Sequence, residues 1–341
     1  MNENVKIFFG LIGGLALFLY GMNSMSDALQ KAAGEGMKKI LSFLTRNAVM
    51  GALAGALVTA VLQSSSATTV MVVGFVNSGM MTLKQAVWII MGANIGTTIT
   101  GQLIALDVGA VAPLFAFVGV AMVVFLKKPQ IHHYGNILAG LGVLFIGMEM
   151  MGSAMEPLRE WPAFVNLVST FSNPVVGILA GAAFTALIQS SSASVGILQA
   201  LALSGVIGLD SAVYVLFGQN IGTCITALLS AIGASKNAKR TAALHLSFNI
   251  IGTIVFMALL YGGNALFHFP FWENVMDRGS IANLHLGFNL GCTVLLLPFH
   301  KQLVRLVEHL VPGDTDEREL SVLDDRFLAS PSLALEKAHD A

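Results

Sequence analysis

Charge is what this sequence has least of. Only 11% of its 341 residues are Asp, Glu, Lys or Arg, against 55% hydrophobic, where an average soluble domain carries about 25% charged residues. With a mean hydropathy of +0.76, that deficit excludes an ordinary soluble domain and makes the chain an integral membrane protein. The net charge of -1 and pI near 6.7 leave no basic footprint, so nucleic acid is excluded as a partner. Cysteine is scarce too: Cys224 and Cys292 sit in apolar runs and read as small buried residues, not as redox or metal ligands. No cofactor is expected.

The shortage is complete in two places. No ionisable side chain occurs between Asn47 and Leu83, or between Asn173 and Leu209. Inside these stretches stand Gln63-Ser64-Ser65-Ser66 and Gln189-Ser190-Ser191-Ser192, 126 residues apart, followed at the same offset by Asn94-Ile95-Gly96-Thr97 and Asn220-Ile221-Gly222-Thr223. Laid over 173–226 without a gap, 47–100 shows 26 identities in 54 positions. A polar cluster written twice into membrane sequence points to one composite site. A lone serine triplet would be read as helix packing; two in register are not.

Apolar stretches of the roughly 17–25 residues needed to cross a bilayer fall near 5–25, 85–105, 110–126, 134–151, 212–232, 241–261 and 281–299. The runs flanking each serine triplet are shorter, about 14–15 residues or some 21–23 Å at the helical rise. Each pair therefore reads as a re-entrant hairpin whose tip stops at membrane depth, a geometry tolerated where the broken backbone is buried in protein or lines a wet cavity. The fold expected is an all-α membrane protein of about seven full crossings with its N-terminus outside.

Placing the N-terminus outside puts 15 of the 18 Lys and Arg residues inside, leaving only Lys6, Arg159 and Arg278 outside. Each repeat then holds an odd number of crossings, so the second is inverted relative to the first. The expected organisation is repeat 1 over 1–126 with its hairpin at 47–80, repeat 2 over 127–252 with its hairpin at 173–206, a further transmembrane segment at 253–312, and a charged tail at 313–341. Segments 26–46 and 152–172 read as interfacial or amphipathic helices. The first apolar run lacks the basic region and small-residue cleavage site of a signal peptide and reads as a mature span. Inverted halves with broken helices are the architecture of alternating-access transport.

After each break a new helix is expected near Ser66 or Ser192, and its open amides favour an anion. Two opposed helix starts with serine hydroxyls suit a tetrahedral oxyanion, phosphate or sulfate, better than a flat carboxylate. In Asn94-Ile95-Gly96-Thr97-Thr98 and Asn220-Ile221-Gly222-Thr223 a glycine between amide and hydroxyl suggests unwinding that frees carbonyl oxygens. With Thr59 and Thr185, one turn before each Gln, these oxygens suit sodium better than a proton, which would want an embedded carboxylate or His.

The doubled Gln-Ser-Ser-Ser and Asn-Ile-Gly-Thr, with Ala243-Leu244-His245-Leu246-Ser247-Phe248-Asn249, resemble the sodium-dependent phosphate cotransporter family, the type II group with its bacterial relatives, over roughly 1–312. The resemblance implies sodium-coupled movement of inorganic phosphate, with phosphate held by Gln63, Ser64, Ser65, Ser66, Gln189, Ser190, Ser191 and Ser192. It implies sodium held by Thr59, Asn94, Thr97, Thr98, Thr185, Asn220 and Thr223, and a bacterial inner-membrane location. Partners so implied are phosphate, sodium, the bilayer, a second copy of the chain and a PhoU-like regulatory domain, whose preceding junction the 323–338 tail resembles. The His-Asp-x-x-Phe-Asn segment of animal members has no match at 111–120, which leaves the number of sodium ions open.

Direction is open as well, because some bacterial members resemble exporters. Two other classes compete. A passive anion channel would use the same neutral donors. A membrane serine hydrolase would need a base that the hairpins lack, leaving only His245 or His285 to supply it. These two histidines recur with Asn249 and Asn289 on one helix face each and are expected to serve helix packing.

Overall fold

A computed structural model describes residues 3–33 and 47–313 apart from 107, 127, 271 and 273. Among them no strand forms; one isolated bridge pairs Gly208 with Val275. The helices are α1 (Glu3–Ala33), α2 (Ala48–Leu62), α3 (Ser65–Asn77), α4 (Leu83–Ala105), α5 (Ala112–Phe125), α6 (Pro129–Met155) and α7 (Pro162–Ser169). They continue as α8 (Pro174–Ile188), α9 (Ser191–Leu203), α10 (Leu209–Gly222), α11 (Cys224–Ser230), α12 (Lys236–Phe267), α13 (Arg278–Leu296) and α14 (His300–Leu310).

Six helical runs are long and apolar enough to span a membrane, or seven if the pair Pro162–Ser172 and Pro174–Ile188, bent by 102°, counts as one. The run at 110–126 differs from expectation: Gly109–Phe125 falls among the shorter apolar helices. Segment 26–46 also departs from it, because residues up to Ala33 continue α1 without interruption. Positions 34–46 and the tail from 314 lie outside the described residues.

Both serine hairpins form as equal pairs, 15 residues then 13 in each copy. Asn47 and Asn173 cap the first arms, Oδ1 accepting from Met50 N–H in one and from Val175 and Val176 N–H in the other. Glycine spacing sets how the arms dock. Gly51 and Gly55 of α2 lie against Trp88 and Ile89 of α4, whose Gly92 and Gly96 lie against Ala52 and Ala56; Gly177 and Gly181 of α8 lie against Tyr214 and Val215 of α10, whose Gly218 and Gly222 lie against Ile178 and Ala182, all at the 126-residue offset. A methyl at Gly92 would be driven into the Ala52 carbonyl, and one at Gly218 into the Ile178 carbonyl. Backbones this close are the small-xxx-small packing of membrane helices. It also corrects the reading of Gly96: α4 runs unbroken through it, and glycine is there for approach to Ala56 and Thr59, not for unwinding. In the second copy the helix is interrupted at Thr223, between α10 and α11.

A large apolar core joins the first hairpin, α4, α9, α10, α12, α13 and α14, with Phe217 and Phe288 rings 4.6 Å apart at its centre. A second gathers α1 and α6 around Phe18, Phe145 and Met148.

Candidate functional site

The hairpin tips are where the chain leaves helical geometry. Gln63 (φ 54°) and Gln189 (φ 59°) both adopt the left-handed conformation as they end α2 and α8. That region disfavours any side chain by roughly 1–2 kcal/mol, and the usual occupant of a left-handed cap is glycine. Two copies of a strained glutamine mark a position where the amide is wanted more than the relaxed backbone. Their backbone N–H groups donate to Thr59 and Thr185 carbonyls at 2.8 and 2.7 Å, and Gln63 Nε2 also donates to Ala60 O.

Ser64 and Ser190 are the N-caps, accepting from Ala67 and Ala193 N–H at 3.1 and 3.2 Å. The new helices therefore begin at Ser65 and Ser191, one residue before the expected Ser66 and Ser192. Leading amides of such a start have no intrahelical acceptor.

The two tips meet. Ser65 Oγ lies 3.4 Å from Ser191 Oγ across the 126-residue offset, and Ser191 Oγ lies 3.4 Å from Thr97 Oγ1. Thr100 links the copies again, donating to Gln63 Oε1 at 2.8 Å and accepting from Ser192 Oγ at 3.5 Å. Ser65, Ser191, Ser192, Thr97 and Thr100 are all buried, and no ionised group lies among them. Two helix N-termini thus point their partial positive ends into one neutral, buried junction, an unfavourable opposition that an anion would relieve.

Around this junction stand the remaining expected residues. Thr59 Oγ1 donates to Thr68 Oγ1 at 2.9 Å, and Thr185 Oγ1 is 2.7 Å from Ser194 Oγ, the same contact in each copy. Asn94 and Asn220 donate their amides to the carbonyls of Ile90 and Leu216, which frees each Oδ1 to face elsewhere; Asn94 Oδ1 lies 3.3 Å from His245 Nε2. Thr98 donates to Ile95 O and Thr223 to Gln219 O. Ser66 is half-buried, Gln189 exposed. The expected residues therefore lie on the two hairpins and on α4 and α10 beside them, with Ser65, Ser191, Ser192, Thr97 and Gln63 in direct contact or joined through Thr100.

Thr100 was missed in the sequence, although the repeat identity runs on to it and Thr226. Gln199 and Gln219, buried with an Oε1 that has no protein partner, gave no signal because neither has a polar counterpart: the matching positions are Val73 and Ala93.

The family described as Na+/Pi-cotransporter matches residues 17–153 and 162–277. The chain belongs to this family. It is a family of transporters and not of enzymes, and with six to seven candidate spans the protein is a multi-pass plasma-membrane protein. Among relatives of this transporter, the uncharacterized protein YqeW of Bacillus subtilis is 31% identical over 302 residues, covering 88% of this chain and 96% of YqeW. YjbB of Salmonella typhimurium, whose name assigns it provisionally to inorganic phosphate export, is 27% identical over 341 residues, covering 96% of this chain and 61% of YjbB. The chain thus spans about three fifths of YjbB. The sodium-dependent phosphate transport protein 2B of Homo sapiens is 40% identical over 98 residues, 28% of this chain and 14% of that protein. No solved structure matches the fold.

Proposed function

We propose that the protein is a secondary transporter that couples sodium ions to the movement of inorganic phosphate across a bacterial inner membrane. In this reading 1–126 and 127–252 are repeats of opposite orientation, hairpins 47–80 and 173–206 re-enter the membrane from opposite sides, and 253–312 adds the last membrane segment. Lysine and arginine placement supports that sidedness. The observation that carries the reading is the 3.4 Å approach of Ser65 Oγ to Ser191 Oγ, which brings two duplicated, uncharged helix starts to one point.

Phosphate at that point is held by Gln63, Ser64, Ser65, Ser66, Gln189, Ser190, Ser191 and Ser192. Serine hydroxyls now sharing weak contacts turn outward as donors, and the leading amides of α3 and α9 add theirs. Neutral donors make a reversible site: no fixed cation holds the anion so firmly that it cannot leave. Sodium is held by oxygens of Thr59, Asn94, Thr97, Thr98, Thr185, Asn220 and Thr223, close enough to offset phosphate charge in a region without other cations. Because each side of the site comes from a different repeat, small relative motion of the hairpins exposes it to one face or the other.

The test is reconstitution of the chain into liposomes with labelled phosphate inside or outside. Flux that follows an imposed sodium gradient and vanishes in potassium supports coupling; phosphate flux indifferent to sodium defeats it, and no saturable flux defeats transport itself. The relatives named for export make net efflux a second reading, decided by which gradient drives accumulation in the same vesicles.

A further inference from the structure

Away from the hairpin tips, a cavity opens between one end of α1 and the start of α6. The two helices run antiparallel with their backbones in close approach at Gly21 and Gly140: a Cβ on Gly21 would lie 2.3 Å from Leu144 N, and one on Gly140 2.7 Å from Met25 N. Beyond that crossing stand Ser24, Ala28 and Asn136, side chains too short to fill the space between the backbones. A cavity of about 300 Å³ results, lined by these three together with Asp27, Lys31 and His133. Its volume is at the lower end of the roughly 300–1,000 Å³ of small-molecule sites.

Its depth follows from the spans. The apolar run of α1 is Val5–Ala32 and that of α6 is Pro129–Leu158, so positions 24–31 and 129–136 put the cavity where one span ends and the other begins. That is the level of lipid headgroups. Exposed Tyr134 beside it is the residue type that anchors helices at this level, and lysine placement makes this the inner face. Towards the bilayer core the same stripe of α1 continues through Tyr20 and Leu17, both exposed and apolar in body.

The charges come as one of each sign. Asp27 and Lys31 stand one turn apart on α1, yet among the described residues neither has an ion-pair or hydrogen-bond partner, and Ser24, His133 and Asn136 have none either. His132 is spent, its Nε2 donating to the Leu126 carbonyl. No side chain caps the start of α6 at Pro129, so that helix adds a partial positive end beside the cavity. A simple anion would meet Asp27 and a simple cation would meet Lys31; a molecule carrying both signs a few bonds apart satisfies both. At the 126-residue offset Asp27 and Lys31 become Ser153 and Pro157, so the pair is no relic of the duplication.

We propose that this cavity binds the headgroup of a phosphatidylethanolamine molecule from the inner leaflet. The ammonium donates to the Asp27 carboxylate, the phosphate accepts from Lys31 Nζ, His133 and Asn136 Nδ2, and the acyl chains run along Tyr20 and Leu17. A choline headgroup has no N–H for Asp27, and a glycerol headgroup has no positive charge. Ser26 and Gln30, on another face of the same two turns, hold the Leu62 carbonyl, so the bound headgroup braces the part of α1 that covers the first tip.

The full chain, purified in detergent, is titrated with dioleoyl phosphatidylethanolamine, phosphatidylcholine or phosphatidylglycerol, and the lipid retained is counted by native mass spectrometry. The wild-type chain should retain the ethanolamine lipid about fivefold over each of the others, the worth of one exposed ion pair, and should melt higher with it. Asp27→Asn should erase the preference over phosphatidylglycerol, Lys31→Gln should weaken retention of both, and Lys301→Gln on α14 should leave the wild-type pattern. Equal retention of the three lipids by the wild-type chain, or an unchanged preference in Asp27→Asn, overturns the proposal; the wild-type comparison decides alone where a variant does not fold. Equally tight binding of chainless glycerophosphoethanolamine would make the occupant a soluble zwitterion, and displacement by inorganic phosphate would make the cavity an anion site; either result also overturns it. No phosphate flux enters these readouts, so the outcome is independent of the transport reading.

Discussion

The two hairpins share a backbone and differ in what surrounds it. Each has a left-handed glutamine, a serine N-cap and a threonine clasp at matching positions. The first tip is covered: α1 sends Ser26 Oγ to the Leu62 carbonyl at 2.9 Å and Gln30 Nε2 to it at 3.3 Å, and Gln63 is only 6% exposed. At the second, Gln189 is exposed. Gly152 and Glu156 stand where Ser26 and Gln30 would be, and α6, the counterpart of α1, packs on α1, α5 and the second arm α9. Duplication therefore determines the local turn, while the neighbours decide how tightly it is held. A transporter that must expose one site to two sides needs such inequality between its halves.

The largest effect should come from what both hairpins share. Gly92→Val and Gly218→Val would each thrust a side chain into a carbonyl oxygen, costing at least the upper part of the about 1–3 kcal/mol of ordinary overpacking; loss of the monodisperse folded protein on detergent chromatography is the readout. Gly74→Ala, with nothing within 4 Å of its Cβ, should instead gain about 0.5–1 kcal/mol as helix interior. If Gly218→Val were tolerated and Gly92→Val not, the two dockings would not be equivalent.

Next come the serines. Ser65→Ala and Ser191→Ala should each weaken phosphate binding by about 1–3 kcal/mol, with Ser191→Ala the larger because its hydroxyl touches both Ser65 and Thr97. Equilibrium binding of labelled phosphate checks the order; wild-type affinity in both variants would take these residues out of the site.

The glutamines sharpen the contrast further. Gln189→Gly should raise stability by roughly 1 kcal/mol through relief of the left-handed strain, whereas Gln63→Gly should gain little, since it also gives up the hydrogen bond from Thr100. Thermal unfolding of the pair measures this, and an equal gain in both would mean the bond from Thr100 to Gln63 is energetically idle.

The smallest effect lies outside the hairpins, at the start of α13. Asp277 caps α13 by accepting from Ser280 N–H at 2.6 Å, and that backbone bond, with the side-chain bond to Ser280, holds its carboxyl below the ordinary aspartate value. A depressed carboxylate contributes stability that is present above the unfolded pKa, near 3.8, and is lost as pH falls through the lower folded value. Asp277→Ala should therefore lower the melting temperature slightly at pH 6, with the gap to wild type closing at pH 3.

Much of this was legible without coordinates because it is local or repeated. Lack of charge specifies the solvent, and identity at a fixed offset names the polar tips and the flanking Asn-Ile-Gly-Thr. The misreadings have a physical source. Gly96 looks like a helix breaker on its own; only the approach of Ala56 and Thr59 shows that the missing methyl makes room for a neighbour. The helix starts fall at Ser65 and Ser191, beside the expected positions; which of the adjacent serines caps is decided by short-range hydrogen bonding. Gln199 carried no repeat signal, its counterpart being Val73, and its partners Gly101 and Arg278 lie on helices distant in sequence.

By itself the sequence determined the membrane class, the duplication, and an uncharged serine-rich tip in each copy, because composition and periodicity act over a few residues and a single solvent. Only the tertiary structure decided that the tips face one another and that Thr100 ties them together. Those are contacts between residues 37 to 126 positions apart in the chain, and they depend on backbone approach distances that no local pattern encodes.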